Sequence, residues 1–266
     1  MANKESTVRT LTVAVLVCLV CSVFVAGAAV ALKPTQAENR QLDKQRSILS
    51  IAGLGEEGMS GKDVQALFSQ RIQARVVDLD EGTFSDAQNA ATYDPLKAVK
   101  DPQQSKALSG SEDIASIKRR ENFSTVYMVE QDGQLQTLIL PVRGYGLWST
   151  LYGFIALKGD LNTVVGFGFY QHGETPGLGG EVDNPKWKGL WRGKTLFDEN
   201  GDLAVEIIKG SVDPQSSKAT HQVDGLAGAT LTSKGVNNLL HFWLGEYGFG
   251  PFLAHLKLLQ QKAGEA

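Results

Sequence analysis

The residues best placed for chemistry lie in Val223-Asp224-Gly225-Leu226-Ala227-Gly228-Ala229-Thr230-Leu231-Thr232, where a glycine-rich turn runs straight into a hydroxyl. Beyond it Val236, Leu239, Leu240, Trp243 and Leu244 recur at helical spacing and mark one buried face. Thr230 therefore stands just before or at a helix N-terminus, where the first backbone N–H groups lack intrahelical partners. Those donors and the positive end of the helix dipole make a seat for phosphate. A hydroxyl in that seat could hold a phosphate or be esterified to one. Thr230, Thr232 and Ser233 are also ordinary N-cap residues, and Gly225 and Gly228 ordinary turn residues. On the residues alone, capping is the more economical reading.

Other reactive side chains are less organised. His172 and Glu174 invite a metal or acid–base role, but two groups in a loop without a third ligand are weak grounds for either. His221 could neutralise phosphate charge when protonated, although a plain surface role is the more economical reading; His241 and His255 carry no signal. Lys209 and Lys218 are candidate phosphate partners without a spacing argument. Tyr145, Trp148 and Tyr152 form an aromatic group whose default is core packing. Lys118-Arg119-Arg120 reads as a solvated run. Cys18-x-x-Cys21 cannot complete a four-ligand cluster and reads as apolar filler.

The elements that must position these residues follow from pattern. Leu11 to Leu32 is uncharged and 22 residues long, about 33 Å as a helix, enough for a bilayer core of about 30 Å. Small-x-small sites at Ala26-Gly27-Ala28 and Ala29-Val30-Ala31 keep a cleaved signal open, but the run is longer than a usual signal core. A helix is expected from Glu38 to Leu54 and another after Ser60, then a strand from Arg71 to Leu79. A polar, proline-punctuated excursion follows from Asp80 to Gly110. Two hairpins come next: Thr125–Glu130 with Leu135–Val142 around Asp132-Gly133, and Leu151–Lys158 with Thr163–Tyr170 around Gly159-Asp160. Leu203 to Lys209 is a further strand. The sum is an α+β fold, an N-terminal transmembrane helix followed by a mainly antiparallel sheet with flanking helices. The expected divisions are a tail at 1–10, the membrane helix at 11–32, a helical and connecting region at 33–110 and the region with the hairpins and the glycine-rich loop at 111–266. With a net charge of -3 and no basic stripe, nothing suggests nucleic acid. The Rossmann fingerprint is absent, which argues against an NADH site.

Asp224-Gly225-x-x-Gly228-Ala229-Thr230 resembles the flavinylation signature of proteins that carry FMN covalently. Ala227 stands where that family usually has Ser or Thr. Two further stretches, Gly144 to Phe154 and His172 to Trp187, together with the apolar N-terminus, resemble the C subunit of the Na+-translocating NADH:quinone reductase. The likeness runs to about Phe252. It implies FMN joined through its phosphate to Thr230, with Asp224, Gly228, Ala229, Leu231 and Thr232 around the linkage. It makes His172 to Gly180 a wall of the flavin pocket, in which Glu174, Thr175, Gly177 and Leu178 meet the cofactor; Tyr145 and Trp148 could then stack near the ring or face another subunit. The resemblance further implies one redox subunit, not self-sufficient, of a six-subunit complex that moves electrons from NADH to quinone and exports Na+. A dedicated flavin transferase would attach the FMN. The expected setting is a bacterial inner membrane, spanned once and in contact with its lipid, with the FMN domain in the periplasm. The related G subunit of the Rnf electron-transport complex is the nearest alternative, and a cofactor-free membrane-tethered scaffold the alternative of another class.

Overall fold

The computed structural model of the protein describes residues 6–56 and 58–264. Its helices are α1 (Thr7–Ile51), α2 (Gly61–Arg71), α3 (Pro95–Ala98), α4 (Pro185–Gly189), α5 (Thr230–Leu244) and α6 (Gly250–Gly264). Its strands are β1 (Gln73–Asp78), β2 (Thr83–Phe84), β3 (Ser105–Ala107), β4 (Arg119–Glu121), β5 (Phe123–Gln131), β6 (Gln134–Tyr145), β7 (Thr150–Lys158), β8 (Val164–Gln171), β9 (Glu206–Ile207) and β10 (Gln222–Val223).

The membrane segment and the helix expected from Glu38 to Leu54 are one helix, α1, which continues through Pro34. A run of residues on both sides with high helix propensity outweighs the single N–H that proline removes. Its apolar part is fully exposed, with a mean hydropathy of 2.8 over the best 18-residue window, compatible with single-pass membrane anchoring. The chain divides into two compact units, residues 1–44 and 45–266.

In the second unit β2-β1-β5-β6-β7-β8 form a six-stranded sheet, antiparallel at every pairing. Both expected hairpins are present. At the β5–β6 turn Asp132 and Gly133 have φ of 53° and 75°, the two positive values that a type I′ turn requires. One face of the sheet, with Val126, Leu138, Leu140, Val142 and Ile155, packs on the apolar side of α5 and on Phe252 and Leu256 of α6 in one core. On the opposite face Tyr127 meets Phe154 edge to face at a centroid spacing of 5.9 Å, and Phe154 stacks on Tyr170 at 5.3 Å. Phe68 of α2 meets Tyr127 there, and Ile51 lies against Gly166 and Gly168 of β8. A side chain at Gly166 would put its Cβ 2.5 Å from the Ile51 carbonyl, so the close approach requires glycine.

The strand expected from Leu203 to Lys209 shrinks to β9, which pairs in parallel with β10. The side chain of Asn237 on α5 takes the Ile207 N–H at 3.0 Å, and β10 supplies only two residues for pairing. Lys118-Arg119-Arg120 is likewise not a solvated run. Arg120 is buried, donates to the Tyr247 carbonyl at 2.9 Å and pairs with Asp80, while Arg119 donates to Ser105.

Candidate functional site

Three segments converge at the N-terminus of α5. The end of β6 delivers the turn 146–149, the end of β8 delivers the loop 172–180, and β10 leads into the glycine-rich loop 224–229. Their closeness is read from the glycines. A Cβ at Gly235 of α5 would lie 2.4 Å from the Tyr145 carbonyl. One at Gly179 would lie 2.5 Å from Thr232 Oγ1, and one at Gly228 would lie 3.1 Å from Leu178 Cδ2. Gly228 (φ 71°) and Gly177 (φ 76°) take left-handed turns that other residues rarely adopt.

Thr230 is the first residue of α5 and is exposed. The capping alternative fails on geometry. The N-cap is Ala229, which has no side chain able to accept a hydrogen bond. Ser233 Oγ instead accepts from the Leu226 N–H at 3.0 Å, which closes the glycine-rich loop onto the helix. The Thr232 hydroxyl donates to Glu174 Oε2 at 2.7 Å in the interior. Of the three hydroxyls at this helix start, only Thr230 faces solvent, beside an N-terminus that no cap residue serves.

Glu174 is buried, and its carboxylate serves the protein. Beyond Thr232 it accepts from the backbone N–H groups of Leu147, Trp148 and Ser149 at 3.0–3.2 Å. Burial opposes its ionisation, but the Thr232 hydroxyl and the three N–H groups prevail and hold its pKa below the usual carboxylate range. His172 supports the same loop: Nδ1 lies 3.2 Å from the Glu174 backbone nitrogen and Nε2 2.7 Å from Asp183. Among the described residues no group of three or more His, Cys, Asp or Glu could hold a metal ion.

The aromatic group divides. Tyr145 and Trp148 are exposed, Trp148 to 67%, whereas half-buried Tyr152 pairs with Tyr170 on the far face of the sheet. Core packing is therefore wrong for the first two: Tyr145 is the last residue of β6, at the rim of the sheet, and Trp148 lies on the turn beyond it. Leu147, Leu178 and Leu231 are exposed as well, so apolar side chains rim the three convergent segments. Leu147 and Leu231 were legible only as members of motifs, since nothing local marks an apolar residue as exposed. Thr175 is exposed, and its carbonyl accepts from Leu178 and Gly180 to shape the loop. The Asp224 carboxylate accepts from the Val212 N–H at 2.8 Å and its carbonyl from Trp187 Nε1 at 2.9 Å, so it braces the loop. His221 is engaged with Thr195, and Lys209 and Lys218 are exposed.

Residues 146–245 match the model of the FMN-binding domain family, an interval that contains all three convergent segments. The chain is 80% identical over 257 residues to the Na(+)-translocating NADH-quinone reductase C subunit of Pseudomonas aeruginosa, covering 97% of this chain and 98% of that protein. It is 51% identical over 256 residues to the C subunit of Yersinia pestis, covering 96% and 95%. The crystal structure of Shewanella oneidensis NqrC superposes with a TM-score of 0.75 at 36% identity, over 84% of this chain and 99% of that one. That of the C subunit from Parabacteroides distasonis gives a TM-score of 0.62 at 29% identity, over 84% and 96%. An exposed threonine at an uncapped helix start, inside an FMN-binding domain and on a chain this similar to its relatives from end to end, belongs to a member of the NqrC family, the C subunits of Na(+)-translocating NADH-quinone reductases.

Proposed function

We propose that this chain is an electron-carrying subunit of a membrane Na+-pumping NADH:quinone reductase and works through FMN esterified to Thr230. The observation that carries the reading is the exposed Thr230 at the start of α5, whose cap residue offers no side-chain acceptor. The residues present fit the group. A phosphodiester keeps one negative charge, which the N–H groups and dipole at this helix start stabilise. Gly228, which has no side chain of its own, forms the left-handed turn just before Thr230, and the apolar rim of Leu147, Trp148, Leu178 and Leu231 suits a flat aromatic ring. Asp224 holds the loop that presents the threonine, and Tyr145, Gly177 and Thr175 lie on the two other segments that converge at the helix start.

Bound FMN supplies the redox chemistry; the chain sets its position, exposure and surroundings. A covalent tether keeps the cofactor in a site open enough to meet a donor and an acceptor in turn. The donor of this reading is an iron–sulfur centre in the membrane, and the acceptor a flavin on a neighbouring subunit. Na+ export then belongs to the assembled complex. The anchor Leu11 to Leu32 carries no ionisable side chain other than Cys18 and Cys21 and supplies no ion path of its own.

Co-expression with a flavin transferase, followed by intact mass and in-gel flavin fluorescence on denatured protein, tests the assignment. The expected result is a gain of one FMN less one water, mapped to the Thr230 peptide and absent in Thr230→Val. An unmodified, colourless wild-type chain sinks it in favour of a scaffold. Attachment that persists in the variant moves the linkage to another hydroxyl.

A further inference from the structure

The geometry points to Glu174 as a positioning residue of the flavin site: its carboxylate ties the turn that carries Trp148 to Thr232 of the helix that begins with Thr230. The inference rests on the proposed site and deepens it.

Both carboxylate oxygens are used. Oε1 accepts from the N–H groups of Trp148 and Ser149, and Oε2 from the Thr232 hydroxyl, with the Leu147 N–H shared between them. Oε1 also lies 3.4 Å from Ser149 Oγ, whose oxygen accepts from the Gly173 N–H at 2.7 Å. A carboxylate so engaged in the interior has little left to offer a ligand directly. Its surroundings are built around it. A Cβ at Gly146 would lie 2.7 Å from Oε1, and one at Gly179 would lie 2.7 Å from Oε2 and 2.5 Å from the Thr232 hydroxyl. Only glycine at both positions lets the two loops close on the charge. Three consecutive N–H groups aimed at one anion form a rigid turn whose shape depends on that anion. Trp148 is mostly exposed and has no ring partner among the described residues, so this turn is what orients it. Thr232 lies two residues beyond Thr230 on the same helix, so the carboxylate fixes the spacing between the indole and the acceptor hydroxyl.

Amide exchange and fluorescence on the full chain, with and without attached flavin, test this. In Glu174→Gln, exchange at Leu147, Trp148 and Ser149 is expected to quicken about tenfold or more, the effect of losing hydrogen bonds to a charged group. Iodide should also reach the indole more freely, a selective readout because Trp187, Trp191 and Trp243 are buried. In the flavin-loaded chain, flavin emission should rise toward that of Trp148→Phe as the indole loses its fixed place. Thr232→Val severs only the helix leg, so the turn amides should stay protected while emission still rises. A folded Glu174→Gln with wild-type exchange and emission overturns the inference. If that variant does not fold, wild-type emission in Thr232→Val overturns it. A wild-type chain that never takes up flavin defeats the functional reading, while the exchange experiment still decides whether Glu174 holds the turn.

Discussion

At the scale of single residues, two buried carboxylates do different work. Glu121 and Arg143 form a buried ion pair, with Nη1 to Oε1 at 2.9 Å, the guanidinium 5.0 Å above the Trp243 ring, and Trp243 Nε1 donating to the Arg143 carbonyl at 2.7 Å. Burial works against the charge on Arg143, but Glu121 prevails and holds its pKa above the ordinary value. Glu121→Gln or Arg143→Met would leave a charge buried without its counterpart, so each should lower stability by about 3–5 kcal/mol in urea titrations. The joint replacement should cost less than the two single losses added. Glu174 differs because its partners are dipoles. Its folded pKa lies below the unfolded value, so its stabilisation is complete above the unfolded value and is lost as pH falls through the folded one. Melting temperatures from neutral pH down to about 3 should therefore fall more steeply for wild type than for Glu174→Gln. Parallel slopes would refute the assignment. None of this pairing was legible in sequence. Glu121 and Arg143 are far apart along the chain, Arg120 looks like one of three solvated cations, and nothing near Glu174 announces Thr232. The place of Thr230 at the start of α5 was legible because the pattern is local: a glycine turn, a hydroxyl, then a periodic helix.

At the scale of elements, the same distinction governs what pattern can show. The β5–β6 hairpin was readable because Asp132-Gly133 fixes the turn, and α5 because Val236, Leu239, Leu240, Trp243 and Leu244 keep one phase and are all buried. The break expected between the membrane segment and the Glu38 helix was not real, since no residue there ends a helix except Pro34, which α1 accommodates. β9 was overestimated because a partner strand and the side chain of Asn237, both distant in sequence, decide how long it is. The decisive contact of α5 is also distant. Gly235 lets the helix approach the Tyr145 carbonyl and Gly146, and so places the Thr230 end against the turn. Gly235→Ala raises helix propensity in the middle of a helix, which alone would stabilise by about 0.5–1 kcal/mol. The clash at 2.4 Å with backbone that cannot rotate away outweighs that gain. The variant should be less stable by about 1–3 kcal/mol, as overpacking predicts. Faster amide exchange at residues 145–149 would locate the loss, and a variant more stable than wild type would show that the helix end does not rest there.

At the scale of the whole molecule, the open choice is the side of the membrane on which residues 45–266 stand, and two arguments oppose each other. Lys4 and Arg9 precede the apolar run, whereas Lys33, Arg40, Lys44 and Arg46 follow it closely. A simple count of positive charges keeps the large unit inside. Yet long domains cross membranes largely regardless of flanking charge, and Glu38 and Asp43 contribute little to the count. The proposed electron route instead puts the unit in the periplasm, where the flavin is to meet its partners. Fold offers no objection: residues 45–266 contain neither cysteine, so no disulfide must form after export. Protease added to spheroplasts and to inverted membrane vesicles separates the two. The exposed connections between Asp80 and Gly110 are natural cutting points. Cleavage in spheroplasts and protection in inverted vesicles is expected, with the apolar fragment retained after carbonate extraction. The reverse pattern would favour the charge count, put the flavin on the NADH side, and make the proposed order of electron partners untenable.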